Sequence, residues 1–503
     1  MATVYGDYSR DRIGWFFGLS GMQLTILSVG LFPVLWAFNA RQWGLLLGLT
    51  AGWGLLFILV VVPVRGRSAT GWLAASLGHA VGLVFRWTPW RSRASRGQAD
   101  DLGVPDLPGV LHGIRVHDGP PQGAAMSRVA VVQDKANRVW AVTAAVTHPG
   151  LALADAEERT RQGRGLTDLL NACARTELIS EVIFVVRSVP DDGAERDQWL
   201  VRHLRPDAPV LARAVNEQLS QVLSQAAVRT EAFVTIVAPE ARLAKEAKEF
   251  GRGIEARARA MLMLAGEVET HLRAGMRIPE VEWLTSPKLA VAVRTGFAPG
   301  DRAGIIAALA ARDADPGVNA DVPWAQAGPS GADAVVRHYS HDAWNSISAT
   351  VKLPARGAVI GALAPVLIPT EPGERRALMV AFPILAATAA DRQTANSEWA
   401  ADMGETLRAK AGVKTRAREQ QAVARTRGLD SKLASGHALV CPYAVATVTV
   451  PKTARIAEYG RRLDAAIRRA GFAPLRLDLA QDAGFAASTI PLGLSLTRKV
   501  EGA

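Results

Sequence analysis

Cysteine is nearly absent. Cys173 and Cys441 are the only two in 503 residues, too few for a disulfide framework or a cysteine-rich zinc site, so nothing calls for an oxidising compartment. Lysine is scarce as well: there are ten against 48 arginines, and none of the ten follows a glycine. A P-loop needs a Gly-Lys pair, whose glycine lets backbone N–H groups approach phosphate while the lysine reaches it, so a Walker-type ATPase is excluded in this polypeptide. Gly163-Arg164-Gly165 and Gly251-Arg252-Gly253 do not complete a dinucleotide fingerprint. A G-x-S-x-G elbow and an H-E-x-x-H helix are also missing, which removes the common hydrolase signatures.

Charge is lacking over two long stretches. No residue between Arg12 and Arg41 is charged, and none between Arg41 and Arg65. Each run is long enough for the roughly 20 helical residues that cross a hydrocarbon core, and a helix satisfies its own backbone where no water is available. The reading is a transmembrane helical hairpin of about 15–37 and 43–64 within residues 1–66. A cleaved signal peptide fits the first run poorly, because the run exceeds the usual apolar core and a second span follows at once. Arg10 and Arg12 precede the hairpin, Arg41 lies in its turn, and Arg65, Arg67, Arg86, Arg91, Arg93 and Arg96 follow it. The positive-inside rule then places both termini and the main domain in the cytoplasm.

Residues 67–93 are less apolar. Leu73, Leu77, Val81 and Val84 recur at helical spacing, which fits an amphipathic helix over 71–87 lying on the inner face, or a third helix partly inserted or packed on the soluble region. Trp72, Trp87 and Trp90 sit at headgroup depth in this reading, and Arg86, Arg91 and Arg93 meet anionic lipid, with about 1 kcal/mol per basic residue. Membrane lipid is thus the first expected partner.

Residues 94–127, rich in Gly, Pro, Asp and Ser, read as a linker. The cytosolic region 128–503 follows, with room for two subdomains, 128–290 and 291–503. A hairpin is expected from strands at 128–133 and 139–147, then a helix over 154–175 and a strand over 179–188. A helix over 209–228, a strand at 232–238 and one long helix over 239–274 come next. Strands and loops are expected over most of 276–354. The last third reads as a strand near 379–382, a long helix over 392–431, a strand at 443–450, a helix at 453–470 and a strand at 475–479. The interleaving gives an α+β class, with crossovers such as 443–479 resembling split βαβ, ferredoxin-like units.

The chemistry-bearing residues are few. His338 and His341 form the one tight histidine pair, but no ligand spacing flanks them and their context suggests a strand, where residues three apart face opposite ways. His112 and His117 lie in the proline-rich linker and have weaker claims. Residues 405–432 are strongly basic and include Arg416, Arg418, Arg425 and Arg427. Without interleaved aromatics for base stacking, this stripe reads as a solvated face or a contact to an acidic partner rather than a nucleic-acid groove. No catalytic residue, cofactor or metal ligand is assigned.

Four stretches, Arg128-Val-Ala-Val-Val-Gln-Asp134, Ser188-Val-Pro-Asp-Asp192, Leu433-Ala-Ser-Gly-His-Ala438 and Asp482-Ala-Gly-Phe-Ala-Ala-Ser-Thr-Ile-Pro-Leu-Gly493, occur in that order. Together the chain resembles, over nearly its whole length, an actinobacterial family of membrane proteins with two N-terminal spans, encoded beside conjugation or type IV secretion-like components. The cytosolic region is similar in layout to the non-catalytic N-terminal part of VirB-type conjugative ATPases, with Phe485 and Pro491-Leu492-Gly493 matching its ending. In those ATPases a motor domain follows, whereas ten residues follow Gly493 here, in keeping with the missing P-loop. The strand near residue 340 carries Trp344 alone, where the family usually carries more tryptophan.

What the resemblance implies is a non-enzymatic scaffold that docks a separate VirB-like hexameric ATPase and small channel membrane subunits. Phe485, Pro491, Leu492, Gly493, Arg416 and Arg418 are its expected partner-binding residues. A type VII secretion accessory protein is the nearest alternative, and a membrane-tethered DNA-binding protein using the 405–432 stripe is the alternative from another class.

Overall fold

The computed structural model describes all residues except 1–20, 62, 65–66, 86, 99–100, 149, 151–153, 206, 227, 353–357, 387–389, 391–427, 429–430 and 497–503. It divides into two units, one of Gly6–Trp87 with Ala387–His437 and the other of Thr88–Ala386 with Ala438–Ala503 and Met1–Tyr5.

The first unit includes the helices α1 (Gly21–Asn39), α2 (Trp43–Val61) and α3 (Ala69–Val84). The turn Ala40-Arg41-Gln42 places Arg41 at φ +52°, and α2 returns along α1. Trp53 Nε1 donates to the carbonyl of Leu27 at 3.0 Å. Gly30 permits the contact, since a Cβ there would lie 2.7 Å from Leu56 Cδ2.

The second unit is built on a 13-stranded antiparallel sheet. In chain order its strands are β1 (Pro89–Arg91), β2 (Ile114–Gln122), β3 (Ser127–Asp134), β4 (Val139–Thr147), β5 (Glu181–Pro190), β6 (Val228–Pro239), β7 (Glu280–Trp283), β8 (Gly331–Ala334), β9 (Tyr339–His341), β10 (Trp344–Lys352), β11 (Arg375–Pro383), β12 (Tyr443–Pro451) and β13 (Ala473–Arg476). The spatial order is β1-β8-β9-β10-β12-β11-β5-β6-β4-β3-β2, with β13 also on β10 and β7 also on β4. Helices α4 (Ala156–Thr176), α5 (Ala194–His203), α6 (Val210–Ala226), α7 (Glu240–Glu246), α8 (Gly253–Thr270), α9 (Ser286–Phe297), α10 (Arg302–Ala314), α11 (Ile456–Arg469) and α12 (Gln481–Thr489) fill the connections.

Local chemistry explains the elements. The β3–β4 turn is closed by the Asp134 carboxylate, which accepts from the Asn137 amide at 3.0 Å and its side chain at 2.6 Å, with Arg138 at φ +54°. The Asp155 carboxylate caps α4 by accepting from the Glu158 amide at 2.7 Å. Successive residues of β3 serve opposite faces: Ala130 and Val132 enter the core under α9 and α12, while Val129 and Val131 enter the core under α4 and α8. A third core, with Ile347, Val448, Leu463 and Ile467, lies under α11. Both sheet ends are blunted. β1 is three residues long and starts at Pro89, and β2 carries Pro120-Pro121 at a bulge.

The pairing contains an internal repeat. In the first half the strands β3, β4, β5, β6 and β7 are ordered so that β3 and β7 share one edge of β4, while β6 pairs the other edge and then β5. In the second half β9, β10, β11, β12 and β13 repeat that order, and the halves join through β5 and β11. The registers match residue for residue. Thr143 bonds Thr235 across β4 and β6 at 2.9 Å, and Ser348 bonds Thr447 at the corresponding place at 2.7 Å. The Leu284 amide donates to the Thr143 carbonyl at 2.9 Å, and the Leu477 amide donates to the Ser348 carbonyl at 3.1 Å. Each half ends in a helix, α9 or α12, on the same face.

The mixed α+β class is as expected, carried by this single large antiparallel sheet. Three local expectations are corrected. Residues 94–127 include β2 and the buried Leu107, Leu111 and Ile114, which join the core under α9 and α12 although glycine and proline surround them. Residues 276–354 hold the helices α9 and α10 as well as strands; Pro287, with no amide proton to lose, suits the first turn of α9. The helix expected over 239–274 is interrupted at Gly251 (φ +114°) and Gly253 (φ +86°) and closes with a π turn at His271–Gly275. The expected subdomain boundary at 290/291 falls inside α9. The helix expected over 392–431 lies almost wholly outside the described residues.

Candidate functional site

Two regions differ from ordinary surface and core. The first is the apolar helix pair. One described helix, Trp43–Val61, is long and apolar enough to cross a membrane, and the apolar part of α1, Thr25–Asn39, is shorter. Phe32, Trp36, Leu47 and Leu55 are each 60% exposed or more. Leaving one such side chain in water forgoes roughly 1.5–3 kcal/mol, so a contiguous exposed set marks an interaction surface.

The second region is an arginine-rich corner where β5, β6 and β11 meet the start of α5 and α10. Strand alternation turns Arg187 inward, where it is 3% exposed. Its Nη2 lies 2.6 Å from the Glu231 carboxylate, and its Nη1 donates to the carbonyls of Ala292 at 2.9 Å and Thr489 at 3.2 Å. Arg229 pairs with Glu231 and, at 3.3 Å, with Glu195. Arg302, buried on α10, pairs with Asp192 and Glu195. Burial pushes the Glu231 carboxyl up, but Arg187 and Arg229 outweigh it and hold the group below the usual carboxylate range. Arg375 completes the corner. Its guanidinium lies over the Trp344 ring at 4.4 Å, and its Nε is buried without a hydrogen-bond partner. Burial lowers its pKa to about 10, opposed by Glu231 and Asp192 and aided by Arg187, so it is charged at neutral pH.

The histidine pair has a structural explanation. His341 Nδ1 lies 2.8 Å from the Phe297 carbonyl, which only accepts, so Nδ1 carries the proton. Nε2 therefore accepts from Ser346 Oγ at 2.9 Å, and Ser346 accepts from Thr449 at 2.7 Å. Both ring nitrogens are engaged and the ring is fully buried, so neither faces a substrate or an ion. Burial drives its pKa down to about 3. His338 precedes the strand, half-buried, and burial lowers its pKa as well.

The residues expected from sequence scatter. Trp72 is half-buried on α3, and Trp87 is 72% exposed and stacked on Phe85 at 5.2 Å. Trp90 and Arg91 do not belong to an interfacial helix: they lie on β1, paired with β8, and Trp90 packs against the sheet core. Arg93 is exposed, with its Nε 3.6 Å from Asp106. Arg86, Arg416 and Arg418 lie outside the described residues. Phe485, Pro491, Leu492 and Gly493 are a clear correction. All four are buried, Phe485 completely, because α12 and the segment after it fill the face shared by both halves. They hold the core together and offer no docking surface. Gly493, at φ +78°, would bring a Cβ to 2.9 Å from that of Ala141. The arginine corner was missed because its members are dispersed between residues 187 and 375 in the sequence.

No known protein family and no curated protein matches this chain.

Proposed function

We propose that this chain is a non-enzymatic, membrane-anchored docking subunit of a conjugation or type IV secretion-like machine of the actinobacterial kind, working beside a separate VirB-like hexameric ATPase and small channel membrane subunits. The observation that carries the anchoring is the exposed apolar surface of α1 and α2, which lipid would cover and water would not. In this reading 15–37 and 43–64 both cross the bilayer, and Leu73, Leu77 and Trp87, exposed on and just beyond α3, rest at its inner face. Each half of the sheet then corresponds to a split βαβ, ferredoxin-like unit. Its strand order suits this, since β4 and β5 run parallel with β6 between them, and β6 and β7 run parallel with β4 between them.

Affinity purification of the tagged full-length protein from its native membrane in mild detergent, with mass spectrometry of what accompanies it, tests the reading. Recovery of a P-loop ATPase with small membrane proteins is the expected result. Recovery of a motor with four ATPase domains would assign the chain to a type VII machine instead. A clean deletion strain with normal conjugation and secretion would overturn the proposal.

A further inference from the structure

The internal repeat gives each half a charged residue at the first position of its third strand: Glu181 on β5, opposite Val237, and Arg375 on β11, opposite Thr449. The two are treated differently. Glu181 is 2% exposed and its Oε1 accepts from Tyr443 Oη at 3.3 Å and Ser495 Oγ at 3.0 Å. Arg375 is half-buried and, among the described residues, has neither a hydrogen bond nor an ion pair. The acids around it are already committed: Glu231 to Arg187 and Arg229, Asp192 to Arg302, and Glu195 to Arg229 and Arg302. Four guanidinium groups thus face three carboxylates, and the unmatched charge resides on Arg375, whose guanidinium carbon lies 4.4 Å from the centre of the Trp344 ring.

Stacking on Trp344 matters for the chemistry. An indole face holds a guanidinium by its flat side and leaves the N–H edge open, and that edge is a fork matched to two oxygens of one anion. We propose that Arg375, braced on Trp344 at the junction of the two halves, is an oxyanion-binding site that takes a carboxylate or a phosphate through its Nη groups. The site does not depend on the membrane or secretion reading.

Titration of the full-length protein in detergent with inorganic phosphate, and separately with acetate, at ionic strength held constant with chloride, tests it calorimetrically. Saturable binding of at least one anion is expected, weakened about tenfold or more in Arg375→Gln, as befits loss of a charge-assisted bidentate contact. Arg375→Lys keeps the charge without the fork and serves if the glutamine variant does not fold; it is expected to bind several-fold more weakly than the native protein. Arg312→Gln, at a surface arginine paired with Asp321 at 2.8 Å, should bind as the native protein does. A response to phosphate alone identifies a phosphate-type ligand, and one to acetate alone a carboxylate. Absence of saturable binding by both anions, or unchanged affinity in folded Arg375→Gln and Arg375→Lys, overturns the proposal.

Discussion

Thr143 donates its hydroxyl proton to the carbonyl oxygen of Pro491 across 2.8 Å. Because that carbonyl only accepts, Thr143 must accept from Thr235, 2.9 Å away. Thr143→Val therefore leaves two buried groups unpaired and should lower stability by about 1–3 kcal/mol. Thr235→Val leaves the bond to Pro491 intact and should lower it by about 1 kcal/mol or less. Denaturation midpoints of the two purified variants check this, and the reverse ranking would refute the donor order.

Gly165 on α4 meets the π turn after α8 backbone to backbone: a Cβ at 165 would lie 2.3 Å from the Gly275 carbonyl oxygen. No rotamer relieves such a contact. Gly165→Ala should cost about 3 kcal/mol or more by overpacking. Gly266→Ala, in α8 where nothing lies within 4 Å, should instead stabilise by about 0.4–1 kcal/mol. Thermal unfolding of both variants decides the matter, opposite signs being the expected outcome.

Buried, neutral His341 makes stability depend on pH. Its imidazole takes a proton near pH 6.5 in the unfolded chain but only near about 3 in the fold, because burial penalises the charged form. Between those values the unfolded state binds more protons. The contribution is thus fully present above pH 6.5 and is lost as pH falls towards 3, by about 1.4 kcal/mol per pH unit. Urea titrations between pH 7.5 and 4.5 should show a shallower decline for His341→Gln than for the native protein.

Phe485 packs on Phe297 at 5.3 Å, Tyr339 at 5.3 Å and His341 at 4.4 Å, with no exposed surface. Phe485→Ala should lower stability by about 3–5 kcal/mol through the cavity it leaves. A docking residue would behave otherwise, weakening partner capture while leaving the unfolding midpoint unchanged. Parallel measurement of the midpoint and of partner recovery separates the two.

Much of the fold was legible where its cause is local. The β3–β4 hairpin declares itself through two apolar runs around Asp-Lys-Ala-Asn, and α4 through an aspartate followed by glutamates. The repeat was not legible, because what the halves share is a register and a pair of hydroxyls: Thr143 with Thr235 in one, Ser348 with Thr447 in the other. Backbone bonds leave no trace in side-chain identity. Residues of the 482–493 stretch were expected to bind a partner, but its small residues are the mark of close packing: a Cβ on Gly484 would lie 2.5 Å from Leu477 Cδ1. The arginine corner was invisible for a different reason, since only the crossing of β5 with β11 brings Arg187 and Arg375 into one place.

The position of the 481–494 segment also sets a timetable. Thr143 and Pro491 are 348 residues apart, so at about 5–20 residues per second the ribosome needs roughly 17–70 s between making the first and the second. Until then the strands of the first half lack Ile490, Leu492 and Leu494, which share the core on one of their two faces with the side chains of α9. The nascent chain therefore carries an unfinished apolar surface long after its opening hairpin has been made, and closes it only once residues 490–494 have been translated.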